Sequence, residues 1–519
     1  MSEFSSPGNL EWGQTWPTLS HFTVLAQDRR VIPVARRIIA DEITPVGLYR
    51  KVTESEDIHF ILESAEHDGA WSRWSFVGAG ARAALISDSQ GARWVGEAPV
   101  NVLQNGPITD VITSALTELR APHIDGLPPL TGALVGTLGW ALSAEWEPHV
   151  RDVVKHEEGL PDVALLMASN VYALDHKDGS VWLIANAWNI NNRADGVEDA
   201  YADAVRRLDE MEAVLSDSFV PRIMGRGTSA KLDIQIRTGQ SDFETGVRGC
   251  QQSIYDGDAF QIVLSTRTDI PISVEPIEIY RALRTVNPSP YMYCFALPAG
   301  NGEYFHVVGS SPETLVKVSG DRAWSFPIAG SRPRGSNPAE DLALEEDLLA
   351  DEKEIAEHIM LVDLARNDLS KVCDPASVNV ETLMEVKRFS HIMHVSSTVT
   401  GRVDPDVNRM DVLSAVFPAG TLSGAPKPKA IEIIEMRESL PRGVYGGVVG
   451  YFDLSGDADF AIAIRTAVIR HSIASIQAGA GIVADSQPAK EWEETQNKAA
   501  AMVRAIQLAH DRDPLVEHR

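Results

Sequence analysis

The sequence predicts an α+β protein of two lobes, and three observations predict it. Short β-like runs mix with amphipathic helical stretches from about Thr23 to Val220, a polar glycine-containing stretch follows near residue 224, and strand-like runs then continue towards the end. At 519 residues, 44% hydrophobic and 23% charged, the chain can build two large lobes or one big fold.

Residues 1–22 read as a polar tail that Trp12 and Trp16 can tack onto the body. Residues 23–223 form the N-terminal lobe. Strands are expected at Ala83-Ala84-Leu85-Ile86 and Val181-Trp182-Leu183-Ile184. A helix is expected from Val197 to Leu215, where Tyr201, Ala204, Leu208, Met211 and Leu215 recur every three or four residues. Residues 224–237 read as a linker, beginning with the Gly-containing run from Met224 to Lys231. The second lobe spans 238–512. It opens with a helix from Asp242 to Tyr255 and a strand from Phe260 to Thr266. Further strands are expected from Gly446 to Leu454 and from Phe460 to Arg470, where Phe460, Ile462 and Ile464 alternate with Ala461, Ala463 and Arg465.

The formal net charge of −27 disfavours nucleic acid and anionic membranes, because phosphate binding needs clustered Lys and Arg. Leu130 to Leu142 is the longest apolar stretch, too short and too interrupted by Gly132, Gly136 and Gly139 to span a bilayer. With no charged-then-apolar leader before it, the expected location is the cytoplasm. Cys250, Cys294 and Cys373 are too scattered for a disulfide framework or a CxxC metal pair, and read as reduced core residues.

Two acidic helices carry the first chemical signal. The segment from Asp347 to Asp363 is helical by composition, with Ile355, Ile359 and Val362 as an apolar stripe, and Glu354 and Glu357 fall at i and i+3 on one face. Near the end, Glu491 and Glu494 repeat the spacing, with Lys498 one turn on. Hard oxygen ligands in such small numbers suit Mg²⁺, which keeps waters and accepts a ligand from an anionic substrate. Either pair alone also reads as a solvated acidic face, the commoner fate of charge runs on helices.

Eight motifs then occur in order between Ser241 and His510. They are Ser311-Pro-Glu313, Pro327-Ile-Ala-Gly-Ser-Arg-Pro-Arg-Gly335, the run from Glu357 to Asp368, Gly420-Thr-Leu-Ser-Gly-Ala-Pro-Lys427, Tyr445-Gly-Gly-Val-Val-Gly-Tyr-Phe452, Ile464-Arg-Thr466, Gln477-Ala-Gly-Ala-Gly481 and Glu491 to Lys498. Together they resemble the chorismate-utilising enzyme family. The resemblance implies a chorismate-binding αββα sandwich with an N-terminal α+β regulatory lobe, the site lying in a cleft.

It also implies roles. Glu357 and Glu494 would be the principal Mg²⁺ ligands, with Glu354 and Glu491 nearby or water-bridged, and the ion would clamp the ring carboxylate of chorismate. Arg465 would hold the enolpyruvyl carboxylate as a fork, with Tyr445 donating a further hydrogen bond. Gln477 to Gly481 reads from its residues as a glycine-rich turn after a strand and lacks the marks of a nucleotide loop. In the family, the backbone N–H groups of Gly479, Ala480 and Gly481 would meet a substrate carboxylate. Gly330, Ser331 and Thr421 would also line the substrate, with Ser331 where a threonine is usual, and Lys498 would belong to the catalytic set. Glu313 resembles the general acid that protonates the departing 4-hydroxyl, a task that requires a raised pKa. His394 matches the histidine of pyruvate elimination, leaving His391 a bystander; by its residues alone His394 reads more often as a packed core histidine.

Two positions separate the branches of the family. Water-using members carry a lysine base where this chain has Gln261, and aminodeoxychorismate synthases carry a lysine in the Pro-Ile-x-Gly segment where this chain has Ala329. The pair implies direct attack of ammonia at C2 followed by loss of pyruvate, with anthranilate as expected product. Aminodeoxychorismate chemistry and a catalytically silent tryptophan sensor stand as the alternatives. Ile61-Leu-Glu-Ser64 and Asn287-Pro-Ser-Pro-Tyr-Met-Tyr293 resemble the tryptophan-sensing segments of feedback-regulated members. There Glu63 and Ser64 would meet the polar end of tryptophan, and Pro290, Tyr291 and Met292 would bracket its indole. No Gly-x-Cys-x-Gly elbow surrounds any cysteine, so the ammonia would come from a separate glutamine amidotransferase subunit in a hetero-oligomer.

Overall fold

The structure is a computed structural model that describes residues 6–54, 56–65, 73–218, 231–388 and 392–511. The expected start of the linker, residues 224–230, lies outside them, as do His391 and residues 1–5.

Among the described residues, 22 strands, several of them buried on both faces, join in one hydrogen-bonded sheet whose ladders are antiparallel. One group of C-terminal strands runs Gln261–Pro271, Ile473–Ile482, Thr466–Arg470, Tyr304–Ser311, Tyr291–Pro298. From there the ladder passes into N-terminal strands: His59–Glu63, Trp74–Asp88, Val163–Asp175 and Ala133–Leu138. It returns to the C-terminal part at Val448–Asp453, followed by Ala458–Ile462, Thr314–Ser319, Arg322–Ser325 and Ile392–Arg402. Ile328–Pro333 and Asn379–Arg388 also pair with Ile392–Arg402. Among the described residues, strands from both sides of the expected linker therefore share one sheet.

Helices Gln240–Tyr255, Pro276–Val286 and Pro488–Asp511 cover the first C-terminal group, and Pro338–Ala350 and Glu352–Leu369 cover the second. The result is the expected mixed fold with helices outside strands. In the N-terminal part, Val197–Ser216 buries Ala204, Leu208 and Met211 from the predicted stripe. No helix of the described residues is long and apolar enough to cross a membrane. The three cysteines are buried thiols without disulfides. Burial pushes Cys250 and Cys294 up to about 12 and Cys373 to about 11, so all three are inert at neutral pH.

Three expectations need correction. The single helix from Asp347 to Asp363 is two helices that break at Asp351, whose carboxylate accepts from the Lys353 and Glu354 amides and caps the second one. The docked face turns accordingly: His358 is fully buried, while Ile359 of the expected stripe is 45% exposed. The strand from Phe460 to Arg470 is also two, Ala458–Ile462 and Thr466–Arg470, parted where Arg465 takes a left-handed φ of 50°. Finally, Gln477 to Gly481 is no turn but part of Ile473–Ile482.

Candidate functional site

Each break supplies a functional side chain. The cap at Asp351 starts a new helix, so Glu354 and Glu357 sit in its first two turns, as Glu491 and Glu494 do in Pro488–Asp511. Burial raises the pKa of Glu354, helped by the charge of Glu357; burial likewise raises that of Glu491, with Glu494 adding to it. The positive ends of the two helices work in the opposite sense, favouring the carboxylates. Lys353 reaches both pairs, 3.9 Å from Glu357 and close enough to act on Glu491. Among the described residues, no three His, Cys, Asp or Glu side chains gather to enclose a metal ion. The donors are nevertheless of the type a hard divalent cation takes, in crowded pairs whose repulsion a cation would relieve. Such an ion would complete its shell with water and substrate.

Glu313 lies between the two C-terminal strand groups. Its carboxylate accepts a 3.0 Å hydrogen bond from Thr421 Oγ1. Burial raises its pKa to about 7, against the opposing pull of the Thr421 bond and the Lys498 and Arg465 charges. The kink that parts the strand turns the Arg465 carbonyl to the Ser310 amide and brings its guanidinium 3.4 Å from Asn287 Oδ1. Burial lowers the Arg465 pKa while Glu313 opposes the shift; a guanidinium stays charged regardless.

His394 sits opposite Ser331 where the ladder slips by one residue around Gly330, at φ 74°. Its Nδ1 lies 3.2 Å from the Gly330 carbonyl. Burial, aided by the Arg465 charge, lowers its pKa to about 4. The ring is neutral at pH 7, and since a carbonyl only accepts, Nδ1 carries the proton and Nε2 is the basic nitrogen.

The glycine strand narrows another expectation. Ala480 pairs with Leu264, whereas Gly479 and Gly481 stand opposite Ser265 and Val263, whose own amides bond away from it, to Glu438 and Ser423. Alternation therefore leaves the N–H groups of Gly479 and Gly481 on the open edge and commits that of Ala480 to the sheet. Lys498 Nζ marks the edge, donating to the Gly479 carbonyl at 3.0 Å and pairing with Glu494 at 2.7 Å. A Cβ at Gly479 would stand 2.8 Å from Tyr445 Oη, and one at Gly481 2.7 Å from Gln261 Nε2. The two glycines thus give Tyr445 and Gln261 room over the edge.

The second cluster lines a cavity of about 770 Å³ at the seam between N- and C-terminal strands. Glu63, Ser64, Pro290, Tyr291 and Met292 all face it, because Glu63 pairs with Met292 across the ladder and Ala65 N–H bonds Ser289 O. The Glu63 carboxylate is already taken, accepting from Tyr280 at 2.6 Å and from Arg284 at 3.0 Å. Reasoning from sequence missed Lys317, Asp457 and Asp459 on the same wall. Burial lifts Asp459 to about 6, and it accepts from Tyr291 Oη at 2.9 Å. Its one legible sign was an acid inside the apolar strand Ala458–Ile462. Thr314, next to Glu313, donates to the same Tyr291 oxygen at 3.0 Å.

A carboxyl poised near neutrality, a buried guanidinium, a neutral imidazole and two acidic pairs mark the chain as an enzyme. The chain belongs to the chorismate binding enzyme family, whose pattern matches residues 59–504. It is 47% identical to anthranilate synthase component 1 of Arthrobacter globiformis over 95% of this chain and 93% of that one. It is 45% identical to that of Mycolicibacterium smegmatis over 94% and 93%. Anthranilate synthase component I from Streptococcus pneumoniae superposes with a TM-score of 0.71 at 32% identity, covering 85% of this chain and 94% of the other. A menaquinone-specific isochorismate synthase from Escherichia coli, 18% identical and with a TM-score of 0.69 over 94% and 98% of the two chains, shares the fold.

As a general acid, Glu313 would impose a pH dependence. A general acid must hold its proton, and Glu313 holds it below about 7 and loses it above. At constant free NH₃, kcat/KM for chorismate is expected to fall about tenfold per pH unit above that point. A flat profile up to pH 9 would remove Glu313 from the role.

Proposed function

We propose that this chain is the chorismate-converting subunit of an anthranilate synthase, using ammonia to aminate chorismate at C2 and then releasing pyruvate. The observation that carries the reading is Glu313, a carboxyl with a pKa near 7 held by Thr421 beside Arg465 and Lys498. Arg465 binds the enolpyruvyl carboxylate as a fork, and Tyr445 and the Gly479 and Gly481 amides receive substrate oxygens along the open edge. Glu313 gives its proton to the departing 4-hydroxyl while ammonia enters at C2. Gln261 cannot deprotonate water, which favours a nucleophile that needs no base. His394 Nε2 then takes the C2 proton as pyruvate leaves. Mg²⁺ taken by Glu357 and Glu494, with Glu354 and Glu491 nearby or bridged through water, would neutralise charge at the ring carboxylate.

The ammonia comes from a separate glutamine amidotransferase subunit, in keeping with the component naming of the relatives, and we place the assembly in the cytoplasm. Tryptophan is the proposed inhibitor at the 770 Å³ cavity. Pro290, Tyr291 and Met292 face its indole, while Ser64 and Asp459 suit its polar end better than Glu63, whose carboxylate Tyr280 and Arg284 occupy.

The test is to incubate the purified chain with chorismate, Mg²⁺ and an ammonium salt at mildly alkaline pH and to follow anthranilate fluorescence with and without tryptophan. No fluorescence under any condition sinks the reading. Ser64→Phe should fill the cavity and raise the tryptophan concentration for half-inhibition at least about tenfold, while kcat stays within about twofold. Unchanged inhibition would move the effector elsewhere.

A further inference from the structure

We infer that Arg442, clamped by Glu438, is a positioning residue that sets the geometry of the substrate cleft from beneath. The inference rests on the proposed reading, since it is the residues of that cleft that Arg442 aligns.

The pair is almost wholly buried, with 1% of the Arg442 side chain and 6% of the Glu438 side chain exposed. Nε and Nη2 of Arg442 grip the two carboxylate oxygens at 2.9 and 2.7 Å. Two further donors end on backbone: Nη1 on Leu422 O at 2.7 Å and Nη2 on Val263 O at 2.8 Å. Leu422 follows Thr421, the partner of Glu313, and Val263 lies two residues from Gln261. Glu438 Oε1 also accepts from the Ser265 amide and hydroxyl at 2.7 and 2.8 Å, and Gln477 Nε2 donates to that hydroxyl at 2.8 Å. Gln477 lies two residues before Gly479. The guanidinium stands 4.2 Å from the Trp140 ring centroid and 5.5 Å from that of Tyr445. Trp140 is itself fixed by a 2.9 Å bond to Glu435.

A buried ion pair is weak evidence of stabilisation, because a well-packed apolar replacement is often as stable. What distinguishes this one is where its bonds end. Thr421, Gln261, Gly479 and Tyr445 come from four separate stretches, and each is tied to this one ion pair, Gly479 by way of Gln477 and the Ser265 hydroxyl. Neither member of the pair touches the reacting atoms, so both act through others. A lysine keeps the charge but is a point donor and cannot serve the Glu438 fork, Leu422 and Val263 together.

The experiment compares Arg442→Lys, Glu438→Gln and Ser265→Ala with the unaltered full-length chain in the ammonia-dependent assay, alongside circular dichroism and Tm. For folded Arg442→Lys, kcat is expected to fall about a hundredfold, the scale of a small misplacement of reacting groups. Glu438→Gln, which keeps one oxygen for the guanidinium, should retain more activity. Ser265→Ala, which removes only the hydroxyl joining Glu438 to Gln477, should raise KM for chorismate about tenfold with an unchanged fold. A purely structural pair would instead lower Tm and leave kcat and KM of the folded variants within about twofold, which would overturn the proposal. Should Arg442→Lys not fold, the other two decide the matter by the same criterion. A chain making no anthranilate before any substitution would sink the proposed function itself, an outcome distinct from variants that match an active parent.

Discussion

Glu313→Gln is expected to lower kcat by about a hundred- to ten-thousandfold, the usual contribution of a positioned general acid. The amide keeps the volume and can still accept from Thr421, so the cleft should remain intact while the proton disappears. Two measurements separate lost chemistry from lost binding. The KM for chorismate should change little, and the decline of kcat/KM above the Glu313 pKa of about 7 should vanish from whatever activity remains. Retention of more than a tenth of the activity would show that another group, or water, protonates the leaving hydroxyl.

Glu357→Ala and Glu494→Ala should each abolish measurable turnover. Each removes one carboxylate from a crowded pair, and a small, oxygen-preferring cation with few protein ligands has no spare donor to lose. Calorimetric titration with Mg²⁺ supplies a readout independent of catalysis, with affinity falling steeply in both variants. Glu494→Ala has a second consequence, because Lys498 loses its 2.7 Å partner and only its bond to the Gly479 carbonyl remains to hold it. Activity surviving both substitutions would place the ion elsewhere.

Much of this was legible in the sequence, and the reasons differ by feature. The helix Val197–Ser216 was readable because burial on one face imposes a period, and the strand Val448–Asp453 because burial on both faces leaves a short apolar run. Glu313, His394 and the glutamates stood out as candidates through motif order. The breaks at Asp351 and Arg465 were not, because each depends on one residue leaving the regular conformation. Asp351 is drawn out by a capping bond and by its ion pair with Arg332; Arg465 needs a φ of 50° that its sequence neighbours do not announce. Ala480 was misjudged because a run of small residues does not reveal which amides a neighbouring strand consumes. Arg442 was passed over because it falls between two recognised motifs and its partners Leu422 and Val263 are close only after folding.

The order of strands bears on how such a molecule can be divided. Among the described residues no ladder joins the two C-terminal strand groups directly; His59–Glu63 and Ala133–Leu138 stand at the ends of the bridge between them. Cutting the chain near residue 231 would leave Tyr291–Pro298 and Val448–Asp453 as bare edges, which recruit foreign strands. The wall of the 770 Å³ cavity and the glycine edge of Ile473–Ile482 are thus halves of a single woven object. Neither half can be shed or swapped as a separate module, since each supplies strands that complete the other's sheet.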